Sequence, residues 1–225
     1  MSDQKNRQKM NPPASAPIDI VRCMHNAFRR DISQIDTQVL TLARSNGDMS
    51  PIFDRLQVLG EILDYHARGE EAAVFPAVDK LTPLVAQAYL MDHRELDNMV
   101  NGLETIRKAP DPLTTARATA VLQSHLRIHL DKEDVHLYPI LRERTTNEEQ
   151  TAIGKIMSSK VPQEKFPVFA QWMFPLLELN DQVTVTKGWM ALMPPPVFAM
   201  AKQLIRKNTA ENWAKLTQQI PGLTD

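Results

Sequence analysis

Two stretches of the chain repeat each other: HARGEEAAVFP at residues 66–76 and HLDKEDVHLYP at residues 129–139. They align without gaps. Each reads as a histidine, a glutamate four residues later, a second acid, and an apolar–aromatic–proline ending. A spacing of four residues places two side chains on one face of an α-helix, one turn apart. Each stretch therefore predicts a helix that presents an imidazole and a carboxylate on the same face.

The sequence around the repeat predicts an all-α fold. Apolar residues recur at three- and four-residue spacing through most of residues 18–146. The predicted helices run from Ile18 to Asn46-Gly47, from Ser50-Pro51 to Ala77, from Thr82-Pro83 to Lys108, and from Asp111-Pro112 onward. A capping residue followed by proline is typical of a helix start. Because the connections are short, we expect an up-down-up-down four-helix bundle followed by a C-terminal helical extension.

Six polar residues are expected to meet inside this bundle. In the second and fourth helices the motif face is also the apolar face, and the first and third helices each add one histidine at a similar level. These residues are His25, His66, Glu70, His93, His129 and Glu133. One histidine on an apolar face is more often a hydrogen-bonded core residue, but two buried carboxylates cost several kcal/mol unless they are neutralised. The apolar faces supply no Lys or Arg for this purpose, so the sequence predicts a metal site.

The ligand types narrow the choice of metal. Histidine and carboxylate without thiolate suit iron, manganese or zinc, and paired carboxylates inside a four-helix bundle favour a di-iron or iron–manganese centre. The single cysteine, Cys23, excludes an internal disulfide and any cysteine-rich zinc or iron–sulfur site. A two-metal centre with histidine and glutamate ligands is the prediction.

At these positions the chain resembles the hemerythrin family, in particular its HHE cation-binding branch, over about residues 18–146. The resemblance implies a non-haem, oxo- or hydroxo-bridged centre of two iron ions. His25 and His66 would serve one iron, His93 and His129 the other, and Glu70 and Glu133 would bridge the two. Asp97 stands where oxygen-carrying hemerythrins have a second histidine on the third helix, so the coordination of one iron must differ from theirs. Asp97 is either a substitute ligand or a solvated carboxylate.

Three kinds of function are compatible with such a centre. The favoured one is a protein that binds or senses dioxygen, nitric oxide or iron, as the resemblance implies. The alternative is a di-iron oxidoreductase that decomposes peroxide or activates oxygen. The third is an interaction protein whose metal is structural. The partner is accordingly a small diatomic ligand or peroxide.

Four further residues have open roles. His136 is expected to face inward one turn beyond the second glutamate, as a seventh ligand, a proton shuttle or a hydrogen-bond partner. His125 is expected at the surface or rim. Tyr138 aligns with Phe75 of the first repeat and is expected to pack, and Cys23 is expected to be a buried apolar residue.

The two ends of the chain differ from the bundle. Residues 1–17 are polar and rich in proline, lack the apolar segment of a secretory signal, and are expected to form a disordered tail. Residues 147–225 contain all three tryptophans and seven prolines. We expect them to form an apolar, proline-punctuated second helical layer, with a homodimer interface as one further use.

The composition limits the remaining classes of function. Of 225 residues, 43% are hydrophobic and 24% charged, and the formal net charge is −1. This balance does not favour nucleic acid as a partner. No run of about 18 apolar residues occurs, so no membrane span is expected. A soluble, cytoplasmic protein is the expectation.

Overall fold

The computed structural model describes residues 16–224, and within that range the secondary structure is entirely helical. The all-α prediction is therefore confirmed. The disordered tail predicted for residues 1–17 falls outside the described residues, except for Ala16 and Pro17.

Residues 16–146 form six α-helices and two π turns. These are α1 (Asp19–Ser45), α2 (Ser50–Gly69), the first π turn (Glu70–Val74), α3 (Phe75–Leu81), α4 (Val85–Arg107), α5 (Pro112–Lys132), the second π turn (Glu133–Leu137) and α6 (Tyr138–Arg144). No break separates α2 from α3, or α5 from α6, so each predicted motif helix is one continuous helical segment, here called a rod, with a π turn inside it. Helices α1 and α4 are the other two rods.

The helix ends follow local chemistry. At the start of α5 the Asp111 carboxylate accepts a hydrogen bond of 2.6 Å from the backbone N–H of Thr114, which satisfies an otherwise free amide. Asn46 closes α1 in the left-handed conformation, with φ 51°. The third predicted helix begins later than expected, at Val85 instead of Thr82, because Leu84 has φ 73° and cannot belong to a right-handed helix.

The four long rods pack around a shared interior. Helix α1 contacts α2 and α5, and α4 contacts the same two helices, which closes a ring. Two apolar clusters fill this ring. The larger includes Phe28, Leu59 and Leu126, and the smaller includes Val74 and Leu137.

The π turns have a common cause in the sequence. Phe75 donates its backbone N–H to the carbonyl of Glu70, and Tyr138 donates to the carbonyl of Glu133, so each bond spans five residues. Pro76 and Pro139 come directly after these donors. A proline inside a helix lacks an N–H and crowds the carbonyl four residues earlier, and a locally wider turn relieves that clash.

The C-terminal part forms a second helical layer. It consists of α7 (Asn147–Ser158), a 3₁₀ turn (Gln163–Lys165), α8 (Phe166–Leu176), α9 (Leu179–Leu192), α10 (Pro195–Asn208), α11 (Trp213–Gln219) and a final 3₁₀ turn (Pro221–Leu223). Helices α8 and α9 pack on α1, and α7 packs on α2 and the first π turn. Buried Asp31 of α1 accepts a hydrogen bond of 2.6 Å from the Trp172 indole and is paired with Arg55, which ties α8 to the ring.

Among the helices of residues 16–224, none has an apolar stretch of the length that a bilayer crossing requires.

Candidate metal centre

The structure brings the six residues of the predicted site together in the interior of the ring. Helix α1 supplies His25, α2 His66, α4 His93 and α5 His129, and the two glutamates are the first residues of the two π turns. All six side chains are buried, and the exposed fraction of Glu70 and Glu133 is 0%. The two π turns thus begin at the two carboxylates. Turns of this kind are frequent at functional sites.

The first half of the cluster contains two inward-facing imidazoles. Nε2 of His25 lies 3.2 Å from Nε2 of His66. Nε2 of His66 lies 3.3 Å from Oε1 of Glu70, and Nε2 of His25 lies 3.6 Å from Oε2 of Glu133.

The second half repeats this arrangement with the other oxygen of each glutamate. Nε2 of His93 lies 3.3 Å from Oε2 of Glu70, and Nε2 of His129 lies 3.4 Å from Oε1 of Glu133. Within each half, one ligand atom from every residue lies within 4.8 Å of the others. Both glutamates belong to both halves, as bridging carboxylates would.

The unpartnered polar atoms of the cluster fit a bound cation. Among the described residues, Oε2 of Glu70, both carboxylate oxygens of Glu133 and Nε2 of His93 are buried without a hydrogen-bond partner. Such atoms cost free energy unless they are satisfied. Imidazole nitrogens and carboxylate oxygens are ligands of iron, manganese and zinc, so the residues present suit these ions.

The electrostatics of the two glutamates differ. Burial raises the pKa of Glu133 well above its usual range, and the negative charges of Glu70 and Asp134 raise it further. Burial acts in the same direction on Glu70, but the imidazoles of His66 and His93 outweigh it and hold the pKa of Glu70 well below its usual range. Two carboxylates in one buried site therefore repel each other, and a cation between them would remove the repulsion.

The second acid of each motif holds a histidine of the opposite half. Nδ1 of His25 donates to Asp134 over 2.8 Å, and Asp134 is in turn paired with Arg29 at 2.7 Å. Nδ1 of His93 donates to Glu71 over 3.1 Å. A carboxylate on the outer nitrogen orients the ring and makes its inner nitrogen a better metal ligand. The sequence showed these acids as part of the repeat but did not reveal their role.

The remaining two histidines are supported unequally. Nδ1 of His129 lies 3.3 Å from Asp92, which is also paired with Lys132. Nδ1 of His66 is buried and has no hydrogen-bond partner. Met24 occupies the position before His25 that Asp92 occupies before His93, so the first half lacks the corresponding acid.

Tyr138 does more than pack. Its hydroxyl donates a hydrogen bond of 2.5 Å to Oε1 of Glu70. Phe75, at the aligned position of the first repeat, has no hydroxyl to offer Glu133. The tyrosine and phenylalanine at the aligned positions differ by this hydroxyl, which was the available signal, and the expectation that Tyr138 only packs was incomplete.

His136 does not face the cluster. The expectation that it points inward was wrong, and the side chain is exposed. In an α-helix the residue three positions after Glu133 would share its face. In a π turn the face shifts toward the fourth and fifth positions, so Leu137 and Tyr138 are buried instead.

Three other residues lie outside the cluster. Asp97 is exposed and approaches Arg94 at 3.7 Å, so it behaves as a solvated carboxylate. His125 is exposed, as expected. Cys23 is buried, as expected, with Sγ at 3.7 Å from a carboxylate oxygen of Asp181.

A cavity of about 340 Å³ reaches the cluster from one side of the ring. Helices α2, α4 and α5 line it, with His66, His93 and His129 at its inner end and Leu63 and Leu126 among its apolar walls. Its volume is that of a site for a small ligand.

Comparison with known proteins agrees with this geometry. The family model of the Hemerythrin HHE cation binding domain matches residues 16–141, more than half of the chain. The chain belongs to the hemerythrin HHE family of helical, metal-binding proteins.

Curated relatives extend the comparison. The chain is 26% identical over 173 residues to the Zinc finger protein BRUTUS of Arabidopsis thaliana, a match that covers 74% of this chain and 14% of the relative. Two BRUTUS-like zinc finger proteins of the same plant are 20% and 23% identical, over 85% and 76% of this chain and 18% and 15% of their own length. The chain therefore spans less than a fifth of these relatives. No solved structure matches significantly.

Proposed function

We propose that this protein is a hemerythrin-like non-haem di-iron protein that binds or senses a small ligand, with dioxygen, nitric oxide and iron itself as the candidates. His25 and His66 would hold one iron, His93 and His129 the other, and Glu70 and Glu133 would bridge them. The observation that carries the proposal is that two sets of buried ligand atoms share both glutamates. A single-metal site would have no use for two histidine pairs around one carboxylate pair.

The iron pair, when bound, would supply a redox centre and a coordination position open to a small ligand. The protein holds three of the four imidazoles in fixed orientation through Asp134, Glu71 and Asp92. The two apolar clusters keep bulk water away from the carboxylates. Access is left through the cavity beside His66 and His129.

The arrangement of the chain around the centre is part of the proposal. The closed ring of contacts among α1, α2, α4 and α5 supports an up-down-up-down bundle over residues 18–146. Residues 147–225 would then be an extension that braces α1 and α2 from outside.

Metal analysis of the purified full chain tests the proposal. We expect about two iron ions per chain after anaerobic reconstitution with ferrous iron. The variants His66→Ala and Glu70→Ala should bind less iron while circular dichroism shows an unchanged helical content. His125→Ala is the matched control, because that histidine is exposed and should leave the iron content unchanged.

Two outcomes would redirect the proposal. Protein that refuses ferrous iron altogether would contradict the centre. Steady-state turnover of peroxide by the iron-loaded protein would favour the oxidoreductase alternative, because a binding protein returns its ligand unchanged.

A further inference from the structure

The two halves of the cluster differ in how many of their imidazoles are anchored. In the second half, both outer nitrogens have an acidic partner: Glu71 for His93 and Asp92 for His129. In the first half only His25 has one, since Nδ1 of His66 is buried without a partner.

The sequence explains the missing anchor. The repeat relates α1 to α4 and α2 to α5, which places Met24 where the second half has Asp92. It also places Gly69 where the second half has Lys132, the cation that pairs with Asp92. The first half thus lacks both the acid and the charge that supports it.

A second contact independently makes the first half a weaker metal site. The Tyr138 hydroxyl donates to Oε1 of Glu70, the oxygen that faces His66 at 3.3 Å. The other oxygen, Oε2, faces His93 and has no hydrogen-bond donor. A hydrogen bond to a carboxylate oxygen draws electron density from it, so Oε1 is the poorer ligand of the two.

We propose that the two metal positions are unequal, and that the ion held by His25 and His66 binds more weakly than the ion held by His93 and His129. The inference rests on the di-iron function proposed above. Loss of an outer-nitrogen partner typically lowers metal affinity about 10–100-fold, and we expect a difference of that size between the two positions. Metal should therefore fill the second half first.

Anaerobic titration of the metal-free full chain with ferrous iron, monitored by calorimetry, tests the proposal. The expected result is two binding steps whose dissociation constants differ by about 10–100-fold. After one equivalent, anomalous diffraction at the iron edge should place the ion between His93 and His129. Density at the His25 and His66 position, or equal density at both, would overturn the inference.

Two variants test the cause. Asp92→Ala should weaken the tight step and bring the two steps together. Met24→Asp should strengthen the weak step by supplying His66 with an acid, whereas Met24→Leu, the apolar control, should leave both steps unchanged. Tyr138→Phe should strengthen the weak step without affecting the tight one.

The possible failures are distinguishable. If the wild-type chain binds no iron, the proposed di-iron function fails and this inference falls with it. If it binds two ions with equal affinity, only the inequality fails. If the steps differ but Met24→Asp, Asp92→Ala and Tyr138→Phe leave them unchanged, the assigned cause is wrong.

Discussion

Each imidazole of the cluster has one nitrogen turned inward and one turned outward. The inward nitrogens of His25, His66, His93 and His129 lie beside the shared carboxylates, and three of the four outward nitrogens have an acidic partner. At the scale of single residues, therefore, the centre has an inner set of atoms that would bind metal and an outer set of acids that orients the imidazoles. Replacing one of the outer acids should alter metal affinity, whereas replacing an inner residue should remove a metal ligand.

Histidines inside and outside the cluster should respond differently to removal. His136→Ala should leave the iron content of the protein unchanged, because the side chain is exposed and the π turn directs it away from the glutamates. His25→Ala should lower the iron content, because it deletes an inward nitrogen. Elemental analysis of both variants after identical reconstitution checks this, and iron loss in His136→Ala would contradict the orientation described above.

Most of this site could be predicted from residue spacing. A repeated histidine and glutamate four residues apart predicted the two carboxylates and two of the imidazoles, and the similar level of one histidine on each of the other two helices predicted His25 and His93. The roles of Asp134 and Glu71 could not be predicted in this way. Each acid holds a histidine of the opposite half, and that contact depends on how the rods pack, not on spacing within one helix.

At the scale of the element, the π turns decide which residues share a face with the glutamates. The sequence predicted continuous helices through Pro76 and Pro139, and the prolines themselves were the signal that the helix must widen there. The extra residue in each turn rotates the following segment. Phe75 and Tyr138 are buried for this reason, and the exposure of His136 has the same origin.

Close packing of α7 against the end of α2 favours glycine at position 69. A Cβ at Gly69 would lie 3.2 Å from the Cα of Met157, so the backbone of α7 would have to shift by a few tenths of an ångström. We expect Gly69→Ala to lower the free energy of unfolding, because an overpacking cost of about 1–3 kcal/mol outweighs the roughly 1 kcal/mol of helix propensity that alanine gains.

Gly102 is the matched control for this prediction. It is also helical, but nothing lies within 4 Å of a Cβ at its position. Gly102→Ala should raise the free energy of unfolding by about 0.5–1 kcal/mol. Urea denaturation of the metal-free variants measures both, and stabilisation of the same size by the two substitutions would contradict the close approach of α7.

At the scale of the whole molecule, the residues of the centre lower the stability of the metal-free protein. Glu70 and Glu133 are fully buried, and both oxygens of Glu133 lack a hydrogen-bond partner. The metal-free protein bears this cost, and the apolar clusters on both sides of the site must offset it. Bound metal should then raise stability, by about 2.7 kcal/mol when its free concentration is 100 times the dissociation constant.

Replacing one of these glutamates with a neutral residue should stabilise the metal-free protein and remove the stabilisation by bound metal. Glu133→Gln should raise the thermal midpoint of the metal-free protein at mildly alkaline pH, because it removes a buried charge next to Glu70, and it should abolish the gain in stability on adding ferrous iron. Differential scanning calorimetry with and without iron measures both effects. A variant that still gains as much stability from iron as the wild type would show that Glu133 is not a ligand.

The second helical layer places a fluorescent tryptophan close to the metal centre. Trp172 of α8 packs against Phe28, with ring centroids 5.0 Å apart, and Phe28 packs against His66 at 5.3 Å. One aromatic ring thus separates the indole from the first half of the cluster. Iron ions quench indole fluorescence at short range, so emission from Trp172 would follow the filling of that half without any added label.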